Sequence, residues 1–259
     1  MTDRFSRTRL LLGDAQFARL SAARIAVFGL GAVGSYAVEA LARAGVGFLR
    51  LVDFDTVRET NINRQLLALE STIGRAKVDV ARERVAQINP ACTVDGRITF
   101  VDDRTVARLL ADNLDIAIDA IDSLRPKVIL IRTAVSAGVP IISSMGAASR
   151  QDPFRITVDD IDESNHCPLA RRVRKLLHRQ GIHTGVRCVY SDEPPNAEAI
   201  APSAEPDTFQ RGRLRRPVGS LSYITGMFGL HAAREAVRMV LAKTYLDSIG
   251  HPTQEVPHA

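Results

Sequence analysis

Arg24-Ile25-Ala26-Val27-Phe28-Gly29-Leu30-Gly31-Ala32-Val33-Gly34 decides how this chain folds. Its first five residues form a short apolar run of the kind that makes a buried strand, and an alanine-rich helical segment follows the glycines to about Gly45. Strand, tight turn and helix in that order make a nucleotide-binding loop. Gly29 permits the turn, Gly31 lets backbone approach a phosphate, and Gly34 lets the helix pack against the strand. The helix N-terminus adds amide donors and a partial positive charge.

Outward from this loop, apolar runs alternate with helical stretches. Strands are expected at 24–28, 48–52, 93–101, 115–121 and 139–143, and helices at 32–45, 74–88, 103–112 and 125–138. The alternation implies an α/β fold, Rossmann-like and doubly wound, with a mainly parallel sheet covered on both faces. Beyond Met145 the pattern changes to a C-terminal extension of strands and helices. It holds a strand at 155–158, a basic helix at 168–180, a strand at 186–190, a Pro-, Ala- and Glu-rich mobile loop at 192–210 and a helix at 220–243. The organisation expected is an N-terminal arm (1–23), a nucleotide-binding domain (24–145), a substrate-binding part of the same fold (146–243) and a disordered tail (244–259).

Composition narrows the class. With 259 residues, 46% of them hydrophobic, the chain can bury a substantial core, and one domain with extensions is the expectation. Met1 to Arg9 is polar and basic and Leu10-Leu11-Leu12 is too short for a signal peptide, so a cytoplasmic location is expected. His231, Arg234, Glu235 and Arg238 interrupt the apolar C-terminal helix, which reads as packed against the sheet or a second subunit rather than as a membrane span. Cys92, Cys167 and Cys188 are too widely spaced for a disulfide framework or a Cys-x-x-Cys pair, so no structural zinc is expected.

Asp53 lies 19 residues after Gly34 at the end of the second strand, where an acid commonly holds a ribose hydroxyl pair. Glycine loop and Asp53 alone leave NAD and other adenosine nucleotides open. The polar residues beyond Asp53 favour a triphosphate. Asn61, Asn63, Arg64 and Gln65 sit in the loop after the second strand, Lys77 opens the next helix, and Asp119 and Asp122 come after the fourth strand. Triphosphate chemistry needs cations on the phosphates and a carboxylate to hold magnesium, and Arg64, Lys77 and Asp122 meet that need. Each has a plainer reading alone: a surface ion pair, a solvated helix position and a helix N-cap. Together, at adjacent strand ends, they point to ATP.

These motifs resemble the ubiquitin-activating-type adenylyltransferase superfamily that includes the ThiF and MoeB enzymes. The resemblance rests on Gly29–Gly34, Asp53-Phe54-Asp55-Thr56-Val57, Asn61-Ile62-Asn63-Arg64-Gln65, Gly74-Arg75-Ala76-Lys77, Gln87-Ile88-Asn89-Pro90 and Asp119-Ala120-Ile121-Asp122-Ser123. It implies that Asp53 binds ribose, that Asn63, Arg64 and Lys77 bind phosphates, and that Asp122 holds Mg2+ through ATP. Gly29, Gly31, Ala32, Gly34, Asp55, Asn61, Gln65 and Ser123 complete the implied ATP site. Arg7 falls where the family's N-terminal arginine reaches the ATP of a neighbouring subunit, which implies a homodimer with composite sites and a catalytic set of Arg7, Arg64, Lys77 and Asp122. From composition alone, Arg7 reads as part of a basic terminus.

The second half distinguishes the members. Ala120–Lys127, Met145-Gly146-Ala147-Ala148, Asp152-Pro153, Gly185–Ser191 and Gly226-Met227-Phe228-Gly229 are similar to the tRNA threonylcarbamoyladenosine dehydratases. Those enzymes use ATP to cyclise the threonylcarbamoyl group on an adenosine beside the tRNA anticodon. The resemblance implies adenylation of the threonyl carboxylate, because a carboxylate becomes a good electrophile only once it carries a leaving group such as AMP. Ring closure by the carbamoyl nitrogen then gains from high effective molarity. The alternatives are an adenylyltransferase that activates the C-terminus of a small sulfur-carrier or ubiquitin-like protein, and a noncatalytic nucleotide-binding module. A sulfur-transfer partner is left open.

A tRNA partner gives the basic segments a purpose. Arg171, Arg172, Arg174, Lys175, Arg179 and Arg187 lie in a stretch without Asp or Glu, and Arg211, Arg213, Arg215 and Arg216 form a second cluster. The plainer reading is a solubilising helix face and a basic loop. Glu193, Glu198, Glu205 and Asp207 interrupt the two clusters, and Tyr190, Phe209 and Tyr223 are the candidate stacking aromatics. Some dehydratases carry a cysteine just before the C-terminal helix, where this chain reads Pro217-Val218-Gly219-Ser220. Cys188 reads as a buried, inert thiol.

Overall fold

The computed structural model describes residues 3–201 and 216–248, with side chains described to residue 242. Two N-terminal helices, α1 (Ser6–Leu12) and α2 (Asp14–Ala22), precede β1 (Arg24–Phe28), α3 (Gly34–Ala44), β2 (Phe48–Asp53), α4 (Lys77–Ile88) and β3 (Thr93–Ile98). Then come α5 (Val106–Leu109), β4 (Ile116–Asp119), α6 (Leu124–Ser136), β5 (Ile141–Ser144), β6 (Ile156–Asp160), α7 (Pro168–His178), β7 (Arg187–Ser191) and α8 (Ser222–Ser248). The seven strands form one sheet in the order β3-β2-β1-β4-β5-β7-β6, parallel except for β6 against β7.

The inner strands β1, β2, β4, β5 and β7 are short and buried because both faces of the sheet are covered there, whereas the edge strands β3 and β6 are more polar and partly exposed. One hydrophobic cluster lies under α2, α3, α4 and α8 around Ile25, Val27, Leu41, Leu49, Leu51 and Phe228. The other lies under α5, α6 and α7 around Ala26, Phe28, Leu130, Ile131, Val173 and Leu177. α8 approaches α3 closely: a Cβ on Gly229 would stand 2.3 Å from the Val33 carbonyl oxygen and 2.9 Å from the Tyr36 Cβ. This helix therefore packs against α3 and the sheet and braces the start of α3, which is where the glycine loop ends.

Several elements depart from the expected bounds. β3 stops at Ile98, and the helix expected at 103–112 is the single turn of α5, followed at Asp112 and Asn113 by left-handed backbone. Within the expected loop, residues 192–201 carry a short 3-10 turn at Ala197–Ala199 and an antiparallel bridge between Ile200 and Val218. α8 runs to Ser248, through the first residues of the expected tail. Arg211, Arg213, Arg215, Phe209, Glu205, Asp207 and the tail from residue 249 lie outside the described residues. No helix among the described residues is long and apolar enough to cross a membrane.

Candidate active site

The strand order reverses on either side of β1, with β2 to one side and β4 to the other. Ligands of open α/β sheets bind in the crevice that such a reversal leaves at the carboxyl ends of the strands. The glycine loop enters that crevice from β1. Gly29 has φ +87°, and a Cβ there would meet the Ala120 carbonyl oxygen at 2.8 Å, so the loop lies directly on the turn after β4. A Cβ on Gly34 would stand 1.8 Å from the Gly29 oxygen, which makes the turn impossible with any side chain. Gly31 is different: the nearest atom its Cβ would meet is Gln65 Nε2, 3.8 Å away. Packing does not require a glycine there, whereas a phosphate lying against the backbone does.

Asp53 ends β2 and is buried. Its Oδ2 accepts the Leu30 amide at 2.6 Å and its Oδ1 the Asp55 amide at 2.8 Å, so one carboxylate ties the glycine loop to the end of the neighbouring strand. Burial pushes its pKa up, while the charge of Lys77 and the two amide bonds pull it back. Lys77, the first residue of α4, is also buried, with Nζ 3.3 Å from Asp55 Oδ2. A lysine held beside two carboxylates at a helix start is well placed for a phosphate, which would bring the opposite charge to the same end of α4.

Asn61, Asn63, Arg64 and Gln65 come from the loop between Asp53 and α4. Leu66 donates its amide to Ser35 Oγ at 3.2 Å, which fastens this loop to the first turn of α3. Asn61 and Gln65 are buried, and Arg64 Nη1 donates to the Thr60 oxygen at 2.8 Å and to Asn63 Oδ1 at 2.7 Å. Asn63 Nδ2 donates to the Ser220 oxygen at 3.3 Å, which joins the nucleotide loop to the segment leading into α8. Beyond β4, Asp122 is exposed and Ser123 is the N-cap residue of α6, without a side-chain capping bond. Gly29, Gly31, Ala32, Gly34, Asp53, Asp55, Asn61, Asn63, Arg64, Gln65, Lys77, Asp122 and Ser123 are thus all carried by the ends of β1, β2 and β4 or the loops that leave them.

Arg7 is not brought to this crevice within the same chain. Arg4 Nη1 donates to the Ile88 oxygen at the end of α4, and Phe5 packs on Phe17 beside Gly45 at the end of α3. These anchors lie at the opposite end of α3 from the glycine loop, about 16 Å away at 1.5 Å per residue. α1 buries none of its own residues, and Leu10 and Leu11 are 86% and 84% exposed.

The basic residues divide. Arg171, Arg172, Lys175 and Arg179 are exposed along α7, whose Ala170, Val173 and Leu177 face the core. Arg174 instead donates through Nη1 to the Ser164 oxygen at 2.6 Å and to the Ile161 oxygen at 3.2 Å. Arg187 pairs with buried Glu235 at 2.9 Å. Both help to hold the fold together and are only partly exposed, and Arg174 lines the same surface hollow as Arg171, Lys175 and Arg179.

Lys127 and Asp119 form a feature the motif reading missed. Both are completely buried, with Lys127 Nζ 2.6 Å from Asp119 Oδ2, 2.8 Å from the Ser144 oxygen and 3.3 Å from Ser143 Oγ. Ser143 donates to the same Asp119 oxygen at 2.6 Å, and Asp119 Oδ1 accepts the Ile121 amide at 3.0 Å. Every donor of the ammonium has an acceptor, and the network fixes the turn that carries Asp122. A signal was present in the sequence: Lys127, Leu130, Ile131 and Ala134 have the spacing of one buried helix face.

Cys92 and Cys188 are not poised as nucleophiles. Burial pushes Cys188 up to about 12 and Cys92 up to about 11, and buried Cys167 Sγ accepts the Ala170 amide at the start of α7.

A model of the ThiF family matches residues 5–255. The chain belongs to the ThiF family. This ThiF-family chain is 39% identical over 232 residues to the tRNA threonylcarbamoyladenosine dehydratase of Bacillus subtilis, a match covering 89% of this chain and 91% of that protein. The Escherichia coli protein of the same name is 36% identical over 252 residues, covering 93% and 94%. A crystal structure of that E. coli dehydratase in complex with ATP matches with a TM-score of 0.83 at 35% identity, covering 93% of this chain and 95% of that one.

Proposed function

We propose that this protein uses ATP to cyclise, with loss of water, the threonylcarbamoyl group of N6-threonylcarbamoyladenosine in tRNA. The observation that carries the reading is the convergence of an open Gly31 backbone, buried Asp53 and Lys77, Arg64 and exposed Asp122 on three neighbouring strand ends. That set suits a nucleoside triphosphate, and the relatives bearing the dehydratase name supply the substrate.

In this reading Asp53 accepts the ribose hydroxyls, while the glycine loop amides, Asn63, Arg64 and Lys77 hold the phosphates. The threonyl carboxylate attacks the α-phosphorus, the bond to pyrophosphate breaks, and the charge on the departing group is met by Arg64 and Lys77. The carbamoyl nitrogen then attacks the activated carbonyl, the five-membered ring closes, and AMP leaves with a proton released from that nitrogen. No covalent cysteine is needed, in keeping with the raised thiol pKa values of Cys92 and Cys188. Among the described residues no group of three or more His, Cys, Asp or Glu side chains could hold a metal ion. Mg2+ bound through a nucleotide needs no such cage, since one or two carboxylates plus phosphate oxygens suffice, and exposed Asp122 fits that donor set. The metal supplies charge neutralisation on the phosphates.

Two copies would complete each other's sites. Own-chain Arg7 is held far from the crevice on a helix with two bare leucines, an arrangement suited to insertion across a dimer interface. Arg171, Arg172, Lys175 and Arg179 are the described cations assigned to tRNA phosphates. Such an enzyme acts in the cytoplasm.

The test is to incubate the purified protein with ATP, Mg2+ and tRNA bearing the linear modification, digest the tRNA mildly and weigh the nucleosides. A product lighter by one water, dependent on ATP and reduced about 10²- to 10³-fold in rate by Arg64→Ala or Asp122→Ala, is expected. ATP turnover toward a protein C-terminus with the tRNA unchanged would refute it.

A further inference from the structure

Phe154 is the most exposed large apolar side chain among the described residues, at 96%. It sits in a 3-10 turn, Pro153–Arg155, that leads into β6. β6 runs antiparallel to β7 with Ile156 opposite Ser191, and β7 runs parallel to β5 with Val189 opposite Ser144. The start of β6 therefore lies at the carboxyl end of the parallel strands, the end that carries the nucleotide crevice.

The ring adds nothing to either core, yet the turn beneath it is held on several sides. Pro153 fixes one φ, and Asp152 Oδ1 accepts the Phe154 amide at 2.9 Å. Glu193 accepts the Gln151 amide at 3.1 Å and the Asp152 amide at 3.0 Å. Arg155 Nε donates to Asp192 Oδ1 at 2.8 Å, and its Nη2 to the Asp192 carbonyl oxygen at 3.0 Å. From the start of α8, Tyr223 donates its hydroxyl to the Gln151 oxygen at 3.0 Å, three residues after the Ser220 oxygen that accepts from Asn63. An apolar ring presented on a pre-ordered turn loses little freedom when a partner covers it.

The surroundings of the ring select the partner. Asp152, Arg155, Asp192 and Glu193 are polar and already engaged, so the ring stands singly. A protein interface buries roughly 800 Å² on each side around an apolar centre, which this rim does not supply. An unpaired nucleobase has a flat apolar face of about the size of one ring, with polar edges, and stacks on single aromatic side chains. β6 is three strand spacings from β4, the strand before Asp122, or about 14 Å. A threonyl carboxylate activated in the crevice ends an arm on its adenine, so the nucleotides joined to that adenosine lie outward from the crevice. Cations for their phosphates start at the same end of the sheet. A Cβ on Gly146, just after β5, would stand 3.8 Å from Leu169 Cβ in the first turn of α7, and Arg171 and Arg172 follow, both exposed. The carboxylates beside Phe154 keep phosphates off the ring and leave the backbone to α7. We infer that Phe154 is a stacking platform for an unpaired RNA base next to the modified adenosine, an assignment that rests on the function proposed above.

The test uses the full-length protein and two RNAs: the anticodon stem-loop carrying threonylcarbamoyladenosine, and a fully paired duplex of the same length. Phe154→Ala should bind the stem-loop roughly 5- to 150-fold more weakly than wild type, the range for removing one stacking aromatic. Its salt slope and ATP affinity should be unchanged, since neither a phosphate contact nor the nucleotide site is touched. Phe154→Trp should keep the affinity. The sequence contains no tryptophan, so this variant also carries a single fluorophore, which the stem-loop should quench by stacking and the duplex should not. Wild-type affinity in Phe154→Ala overturns the assignment, as does a tryptophan quenched by neither RNA or by both alike. A Phe154→Ala protein that changes from dimer to monomer would place the ring in a subunit contact and also overturn it. Quenching is read without turnover, which separates the two failures. Quenching by the stem-loop in a protein that converts no modified tRNA would remove the proposed function and leave an RNA-stacking ring. Conversion by wild type without any stem-loop quenching of Phe154→Trp would remove the platform alone.

Discussion

Lys127→Met should destabilise the protein by about 3–5 kcal/mol, because it removes one member of a buried ion pair and leaves the other behind. Lys127 and Asp119 are both 0% exposed, and the ammonium makes contacts at 2.6, 2.8 and 3.3 Å that Met cannot replace. The substitution nearly conserves volume, so the cavity contribution is small and the loss reports the stranded carboxylate. Asp119 would keep only the Ser143 hydroxyl and the Ile121 amide. For a chain of this size the loss corresponds to a fall in thermal midpoint of roughly 6–20 °C. The assay is thermal and urea denaturation of wild type, Lys127→Met, Asp119→Asn and the double variant, with pyrophosphate exchange as the functional readout. The double variant should recover about 1–3 kcal/mol relative to Lys127→Met, since the uncompensated charge is gone. Exchange should fall even where the protein is fully folded, because Asp119 holds the amide one residue before Asp122. A loss below about 1 kcal/mol in Lys127→Met, or a double variant no more stable than it, would refute the reasoning.

Glu235 makes a different test. The Arg238 hydrogen bond, with Arg187 behind it, holds this carboxyl below the usual glutamate range against the effect of burial. A depressed folded-state pKa contributes stability above the ordinary value near 4.5 and loses it as pH falls through the folded value. Glu235→Gln should therefore cost about 1–3 kcal/mol in urea denaturation near neutral pH, and the gap should narrow in acid; a gap independent of pH would contradict the assignment. Mixing Arg7→Ala and Arg64→Ala proteins, each inactive alone, should restore about a quarter of wild-type cyclisation, because half of the reassorted dimers would hold one intact composite site. No recovery despite subunit exchange would remove Arg7 from the neighbour's site.

The nucleotide half of the molecule was legible because its signals are local. Gly29, Gly31 and Gly34 act within one turn of backbone, and the alternation of apolar runs with helical stretches encodes a covered parallel sheet whatever the partner strands are. Asp53 and Asp122 could be placed at strand ends and Lys77 at the start of the helix that follows β2 by counting along the chain, and a parallel sheet brings all such ends to one side. The interruption of the C-terminal helix by Arg234, Glu235 and Arg238 likewise excluded a membrane span without any structure.

Other properties depended on which distant residues the topology brings together. Arg171 and Arg174 look alike in sequence, yet helix register exposes one and turns the other onto the Ser164 carbonyl. Arg187 reads as another free cation until α8 is laid across β7 and presents Glu235. The Lys127 network requires β5 to lie beside β4, and which site Arg7 can serve depends on where α1 is anchored. Phe154 sits in a short polar stretch that says nothing by itself, and only its exposure on a turn held by Asp152, Asp192 and Glu193 marks it. Sequence by itself determined the fold class and the nucleotide crevice, since both arise from short-range backbone geometry and periodicity. The tertiary structure alone decided which charges are paired, buried or exposed, because that depends on contacts between residues far apart in the chain.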